Sequence, residues 1–319
     1  MLGALVLLVA GLAGLYVGSV ALVRGASRLA LSFGIPSLII GLTVVAWATS
    51  APELVVNLSA AVQGVNVIAL GNIIGSNVVN IGLVLGVMAL LTRVRLSWEL
   101  VRREIPFMIA ATALFFLLSL DGSLSRMDGM ILFGGFIFYI AFVYVNAQQE
   151  RRKIISSIEN IAREEAPPPA QINRLMEARR VVFGVTLLVI AANLTVDNAS
   201  LIAREVGISE FIIGLSVVAI GTSLPEIAAS LVAARRGETD IAVGNVIGSN
   251  IMNILAILGV TAIIQPMTVS PALLQFDLPF LLIFSATVLL VALNRVILRR
   301  EALLLIGVYI VFIAWSFLK

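Results

Sequence analysis

Residues 41–86 read GLTVVAWATSAPELVVNLSAAVQGVNVIALGNIIGSNVVNIGLVLG, and residues 214–259 read GLSVVAIGTSLPEIAASLVAARRGETDIAVGNVIGSNIMNILAILG. The two segments agree at 25 of 46 positions at a constant offset of 173, so the chain carries an internal duplication. Working outward from these cores, long apolar runs alternate with short polar breaks in both directions. Ten runs result, near 2–23, 37–62, 67–91, 105–120, 128–147, 180–203, 210–234, 240–264, 277–294 and 301–318. Their lengths suit helices, which need about 20 apolar residues to cross a bilayer. The runs are continuous, as from Leu2 to Val23 and from Leu303 to Leu318, without the alternation that a membrane barrel requires. The expected fold is an all-α membrane protein of ten transmembrane helices in two five-helix repeats, 1–147 and 180–319, joined by a polar linker at 148–179. Five is odd, so the second repeat must cross in the opposite sense to the first. Inverted repeats of this kind place substrate sites near the midplane, on interrupted helices.

Composition points to the same class. The 319 residues are 60% hydrophobic and 12% charged, with a mean hydropathy of +1.10, whereas soluble domains carry roughly 25% charge. His and Cys are absent, which removes imidazole and thiolate metal sites, Ser-His and thiol nucleophiles, and disulfides. Carboxylate, hydroxyl and amide groups remain, and these suit hard cations such as sodium, calcium and magnesium. The net charge of +3 is not read as a nucleic-acid footprint, because Lys and Arg in membrane proteins encode orientation. Of the 21 basic residues, 18 fall in the connections between helices 1 and 2, 3 and 4, 5 and 6, 7 and 8, and 9 and 10; the others are Arg126, Arg204 and Lys319. Those five connections are therefore expected in the cytoplasm, with both termini outside the cell membrane and lipid around the helices. The first run is too long for a signal segment and lacks a basic start, so it is read as a retained helix. The linker holds Pro167-Pro168-Pro169 and a helical stretch from Glu150 to Glu165, and it is too short and too polar to bury a core of its own.

Only two acidic residues lie well inside the apolar runs, Glu53 and Glu226, and they are equivalent in the two repeats. A carboxylate at the centre of a membrane helix costs about 2.5–3.5 kcal/mol on insertion scales, so placing it there twice demands compensation. Thr49, Ser50 and Glu53 share one helix face by their spacing, as do Thr222, Ser223 and Glu226. Pro52 and Pro225 have no amide hydrogen, which leaves the carbonyls of Ala48 and Gly221 without helical donors. The next helix of each repeat carries a polar stripe, Asn72, Ser76 and Asn80 in the first and Asn245, Ser249 and Asn253 in the second. The plain alternatives are a hydrogen-bonded structural Glu, a water-satisfied proline kink, and polar stripes that only join helices; Asn72 and Asn245 suit that last role best. Asp197, equivalent to Arg24, is read as interfacial.

The duplicated Thr-Ser-x-Pro-Glu segments (Thr49 to Glu53, Thr222 to Glu226) and Gly-Asn-x-Ile-Gly-Ser-Asn segments (Gly71 to Asn77, Gly244 to Asn250) resemble the alpha repeats of the sodium/calcium exchanger family, within the calcium/cation antiporter superfamily. The resemblance implies alternating-access exchange of calcium for sodium, with ions bound between helices 2, 3, 7 and 8 and no resident cofactor. By position, the implied ligands are the carbonyls of Ala46 and Ala219 together with Thr49, Ser50, Glu53, Ser76, Asn80, Thr222, Ser223, Glu226, Ser249 and Asn253. One departure stands out: well-known sodium/calcium members carry Asp where this chain has Asn253. Two carboxylates balance one calcium but not three sodium ions, so calcium/proton exchange is the alternative within the superfamily. A channel fits an inverted repeat within one chain poorly, and an intramembrane enzyme lacks the residues.

Overall fold

The structure, a computed structural model, describes residues 1–161, 172–207 and 219–318. The first half contains α1 (Leu2–Phe33), α2 (Ser37–Thr49), α3 (Ala51–Val62), α4 (Asn66–Leu91), α5 (Ile105–Leu118) and α6 (Arg126–Ile161). The second contains α7 (Arg174–Glu205), α8 (Ala219–Thr222), α9 (Leu224–Arg235), α10 (Thr239–Ile264), α11 (Leu273–Ala292) and α12 (Arg299–Leu318). With each of the pairs α2–α3 and α8–α9 counted as one interrupted helix, the described residues hold ten helices, as expected. Among the described residues, six helices are each long and apolar enough to cross a membrane, and the bent pair α2–α3 makes a seventh span. The start of the seventh predicted helix, 210–218, lies outside the described residues, as does Pro167-Pro168-Pro169.

Several helices outrun their apolar stretches. The first run ends near residue 23, yet α1 continues past Arg24 and Arg28 to Phe33. It stops where Gly34 turns left-handed at φ 63° and its amide hydrogen reaches back to Ala30 and Leu31. Likewise α6 continues to Ile161 and α7 begins at Arg174. Hydropathy marks where a helix lies in lipid, not where its hydrogen bonds end.

The inversion of the repeats can be read from helix packing. Helices α1 and α7 are equivalent at the offset of 173, and they lie side by side. A Cβ built on Gly11 would meet Thr195 and Ala191, on Gly18 Leu188 and Gly184, and on Gly25 Val181 and Glu177. Contacts move backward along α7 as they move forward along α1, so the two run antiparallel. The approach is close: a Cβ on Gly184 would lie 2.6 Å from the Leu22 nitrogen, as small residues allow between membrane helices.

Four two-residue strands give the same answer. β1 (Val94–Arg95) pairs antiparallel with β4 (Val296–Ile297), and β2 (Ser123–Leu124) with β3 (Met267–Thr268). By the offset, β1 is equivalent to β3 and β2 to β4. One span, α5, separates β1 from β2, so they lie at opposite ends of the molecule. The equivalent of β2 nevertheless pairs with β1, which requires the second repeat to be upside down. Other links between connections obey the same division, such as Ser27 Oγ to Glu238 Oε1 at 2.6 Å and Val269 N to Gly122 O at 2.8 Å.

At the centre stand α4 and α10, whose most apolar windows are 78% and 83% buried, against 22–39% for the other long helices. The last helix of each repeat packs on the central helix of the other: Gly129 of α6 faces Gly259 and Ile263, and Gly86 of α4 faces Ile306 and Ala302 of α12. Both central helices widen into a π-helical turn halfway along, Asn80–Val84 and Asn253–Leu258.

Candidate cation site

Two helix breaks face the widened turns of α4 and α10. Pro52 and Pro225 sit in the first turns of α3 and α9, where a missing amide hydrogen costs nothing to the new helix but stops the old one. The residues at the breaks, Ser50 (φ −82°, ψ 7°) and Ser223 (φ −87°, ψ 5°), leave the helical range in the same way. α2 and α3 therefore meet at 45°. Each break puts a carboxylate, Glu53 or Glu226, in the first turn of the new helix, where amide hydrogens and the helix dipole favour negative charge.

The two repeats are laced together at this level by three symmetric pairs of hydrogen bonds. Ser50 Oγ donates to Glu226 Oε1 at 3.0 Å and Ser223 Oγ to Glu53 Oε1 at 3.3 Å. Thr49 Oγ1 donates to Asn245 Oδ1 at 3.1 Å and Thr222 Oγ1 to Asn72 Oδ1 at 3.3 Å. Asn80 Nδ2 donates to Asn250 Oδ1 at 3.1 Å and Asn253 Nδ2 to Asn77 Oδ1 at 3.2 Å. Every one of these bonds crosses from one repeat to the other.

The lacing leaves the amide nitrogens of Asn72 and Asn77 without partners, and it leaves a symmetric set of oxygens over as well. Among the described residues, eleven buried side-chain polar atoms have no hydrogen-bond partner, and six of them form three equivalent pairs: Glu53 and Glu226 Oε2, Ser76 and Ser249 Oγ, Asn80 and Asn253 Oδ1. Buried polar atoms are normally satisfied, and a symmetric set that is not calls for a ligand. All six are oxygens and no described Arg or Lys is buried, so the chemistry available is coordination of a hard cation. Glu53 and Glu226 are 0% and 1% exposed.

Of the sequence-predicted residues, Thr49, Ser50, Glu53, Ser76, Asn80, Ser223, Glu226, Ser249 and Asn253 are buried together around the breaks and the widened turns. Thr222 is half-buried, and Ala219 opens α8. The Ala46 carbonyl already accepts from Ser50 N at 3.0 Å and from Thr49 Oγ1 at 3.4 Å. Asn245 ties helices together as expected, accepting from Thr49 and donating to Ser230 Oγ at 2.9 Å. Asn77 and Asn250, which turn the amides of Asn253 and Asn80, were not among the predicted site residues, although their duplication within Gly-Ser-Asn was visible.

The structure also buries two acids beyond the expected pair. Glu104 accepts from Tyr139 Oη at 3.0 Å, and Glu177 is paired with Arg28 at 3.1 Å and Arg180 at 2.6 Å. Both stand near helix ends, just outside the apolar runs. Asp197, expected at the interface, lines a cavity of about 260 Å³ together with Pro52, Asn193, Gly221 and Thr222. One side of the site thus borders open space through Thr222, while its equivalent Thr49 is buried.

Comparison with known proteins follows the same lines. The sequence matches the family described as sodium/calcium exchanger protein over residues 3–145 and 180–318. It is 38% identical over 278 residues to the putative antiporter CaxA of Alkalimonas amylolytica, covering 87% of this chain and 86% of that one. It is 37% identical to the inner membrane protein YrbG of Escherichia coli (strain K12), covering 98% and 97%. Its fold superposes on the sodium-calcium exchanger NCX_Mj with a TM-score of 0.83 at 30% identity, over 98% of this chain and 97% of that one.

Proposed function

Because this chain belongs to the sodium/calcium exchanger protein family, we propose that it is an antiporter that exchanges calcium for sodium across the cell membrane by alternating access. The observation that carries this reading is the symmetric set of six unpartnered oxygens at the crossing of the two repeats. Glu53 and Glu226 supply the charge, and Ser76, Ser249, Asn80 and Asn253 supply neutral oxygens. Thr49, Ser50, Thr222, Ser223 and the carbonyls of Ala46 and Ala219 complete the shell. NCX_Mj, which shares the fold, is named as a sodium-calcium exchanger soaked with sodium and calcium, which supports the choice of ions.

Alternating access follows from the inverted symmetry. In the conformation described, Thr222 borders the cavity beside α7 while Thr49 is buried. Exchanging the conformations of the two repeats opens Thr49 and closes Thr222, and the site faces the other side. The charge distribution supports an orientation with both termini external, the 148–179 linker cytoplasmic and the α7 cavity external. The matched ranges support division into repeats at 1–147 and 180–319.

Protons are the other candidate counter-ion, because they bind the same two carboxylates. Calcium uptake into proteoliposomes separates the two. An outward sodium gradient at equal pH is expected to drive uptake, and a pH gradient in sodium-free medium is not. Glu53→Gln and Glu226→Gln should each reduce uptake to background while the protein still purifies as a folded species. Normal uptake by either variant, or uptake that needs no counter-gradient, overturns the reading.

A further inference from the structure

Two connections at one end of the molecule carry more charge than the fold needs. Residues 92–104 and 293–301 hold seven arginines and three glutamates. Of the glutamates, Glu104 is buried on Tyr139 and Glu301 accepts from Leu298 N at 2.7 Å at the start of α12. Because β1 and β4 lie in these connections and pair with each other, arginines from the two repeats are brought to one ribbon. Arg93, Arg95, Arg299 and Arg300 are exposed, and among the described residues their side chains have no hydrogen bond or ion pair. The ribbon itself does not require them. By the offset of 173, the equivalent ribbon of β2 and β3 carries Pro266, Thr268, Arg126 and Met127 at these four positions. Orientation in the membrane calls for basic residues on one side, but not for their convergence on a single cavity.

Such a cavity is present. It measures about 300 Å³ and is lined by Leu91, Thr92 and Arg93 past the end of α4 and by Ile297, Leu298 and Arg299 at the start of α12. Apart from Thr92 and the two arginines its lining is apolar. It also stands at the boundary of the bilayer, since α4 ends at Leu91 and α11 at Ala292, and both are long and apolar enough to cross. Trp98 is exposed in the same connection with the Arg102 guanidinium 4.1 Å from its ring centre, a pairing suited to the headgroup layer. Unpaired guanidinium groups fork onto phosphate oxygens, and an apolar lining at this depth accepts the glycerol and first methylenes of a lipid. We propose that this cavity binds the headgroup phosphate of an anionic phospholipid, held by Arg93 from one repeat and Arg299 from the other, with Arg95 and Arg300 adding charge beside it. The inference does not depend on which ions the chain exchanges.

The test uses the full chain purified in mild detergent. It is titrated with phosphatidylglycerol, phosphatidylcholine or inorganic phosphate, and native mass spectrometry and thermal unfolding read occupancy and stabilisation. The wild-type chain should bind phosphatidylglycerol at least about tenfold more tightly than phosphatidylcholine, and phosphate should neither stabilise it nor displace the lipid. Arg93→Gln combined with Arg299→Gln should weaken phosphatidylglycerol binding about thirtyfold, at about fivefold per arginine. Arg235→Gln combined with Arg236→Gln removes the same charge from exposed residues that do not line the cavity, and should bind as the wild type does. Equal loss in the two double variants, or no preference for the anionic lipid, overturns the proposal in favour of diffuse surface charge. Displacement of the lipid by phosphate overturns it in favour of a free-anion site. Should the Arg93 and Arg299 double variant fail to fold, each single substitution reads the same loss at about fivefold, and no loss in either overturns the assignment.

Discussion

Asn250 shows how a residue with no free oxygen of its own can govern the site. Its Oδ1 accepts the amide of Asn80, and its own amide contacts Met108 Sδ at 3.4 Å, so Asn80 is held with its oxygen turned inward. Asn250→Ala should leave the fold intact and let Asn80 rotate. The loss of one buried hydrogen bond, about 1–2 kcal/mol, corresponds to roughly a tenfold weaker apparent calcium affinity. Calcium dependence of uptake measures this; an unchanged KM would show that Asn80 does not depend on Asn250. The pair Asn80 and Asn253, proposed above as ligands, stood out in the sequence because a duplicated polar stripe has few uses in lipid. Asn77 and Asn250 did so less, since their partners lie 170 or more residues away and only the packing of α4 against α10 reveals them. The turn at Arg295 was equally hidden. It is left-handed at φ 58°, where the first repeat has Gly122 at φ 84°, and nothing about an arginine announces that conformation.

At the scale of elements, the prolines did announce themselves, and their consequence can be tested. Pro52 denies the Ala48 carbonyl its donor, and the helix restarts at 45° with Glu53 in its first turn. Pro52→Ala restores the amide hydrogen, and with it the option of one continuous helix from Ser37 to Val62. Straightening would carry Glu53 and Ser50 away from Ser223 and Glu226. Uptake should fall at least about tenfold, while thermal stability stays level or rises because an interior proline costs a helix about 3 kcal/mol. Loss of transport together with a lower melting temperature would point instead to plain damage. The π-helical turns at Asn80 and Asn253 could not be foreseen. Their sequences suit ordinary α-helix, yet the helices widen at these residues, and such turns often mark functional positions.

The whole molecule was the most legible level, because the 173-residue offset and the basic connections constrain each other: a missed crossing would have placed β1 and β4 on opposite sides, and they are hydrogen-bonded. What the duplication hides is where the halves differ. Asp197 lines the cavity beside Pro52 and Thr222, whereas the equivalent position at the other end of the molecule is Arg24, which is exposed. The cavity beside α7 therefore carries a negative group whose counterpart in the other repeat is positive. A carboxylate at the mouth of a cleft raises the local concentration of cations, most strongly for divalent ions and at low salt. Asp197→Asn should accordingly raise the KM for calcium about three- to tenfold at low ionic strength on the α7 side only, with little change in kcat, and the effect should shrink as salt is added. Right-side-out and inside-out membrane vesicles report the two faces separately. With the orientation proposed above, the change belongs to the external face; an equal change on both faces, or one confined to the cytoplasmic face, would contradict the assignment of this cavity as the external approach.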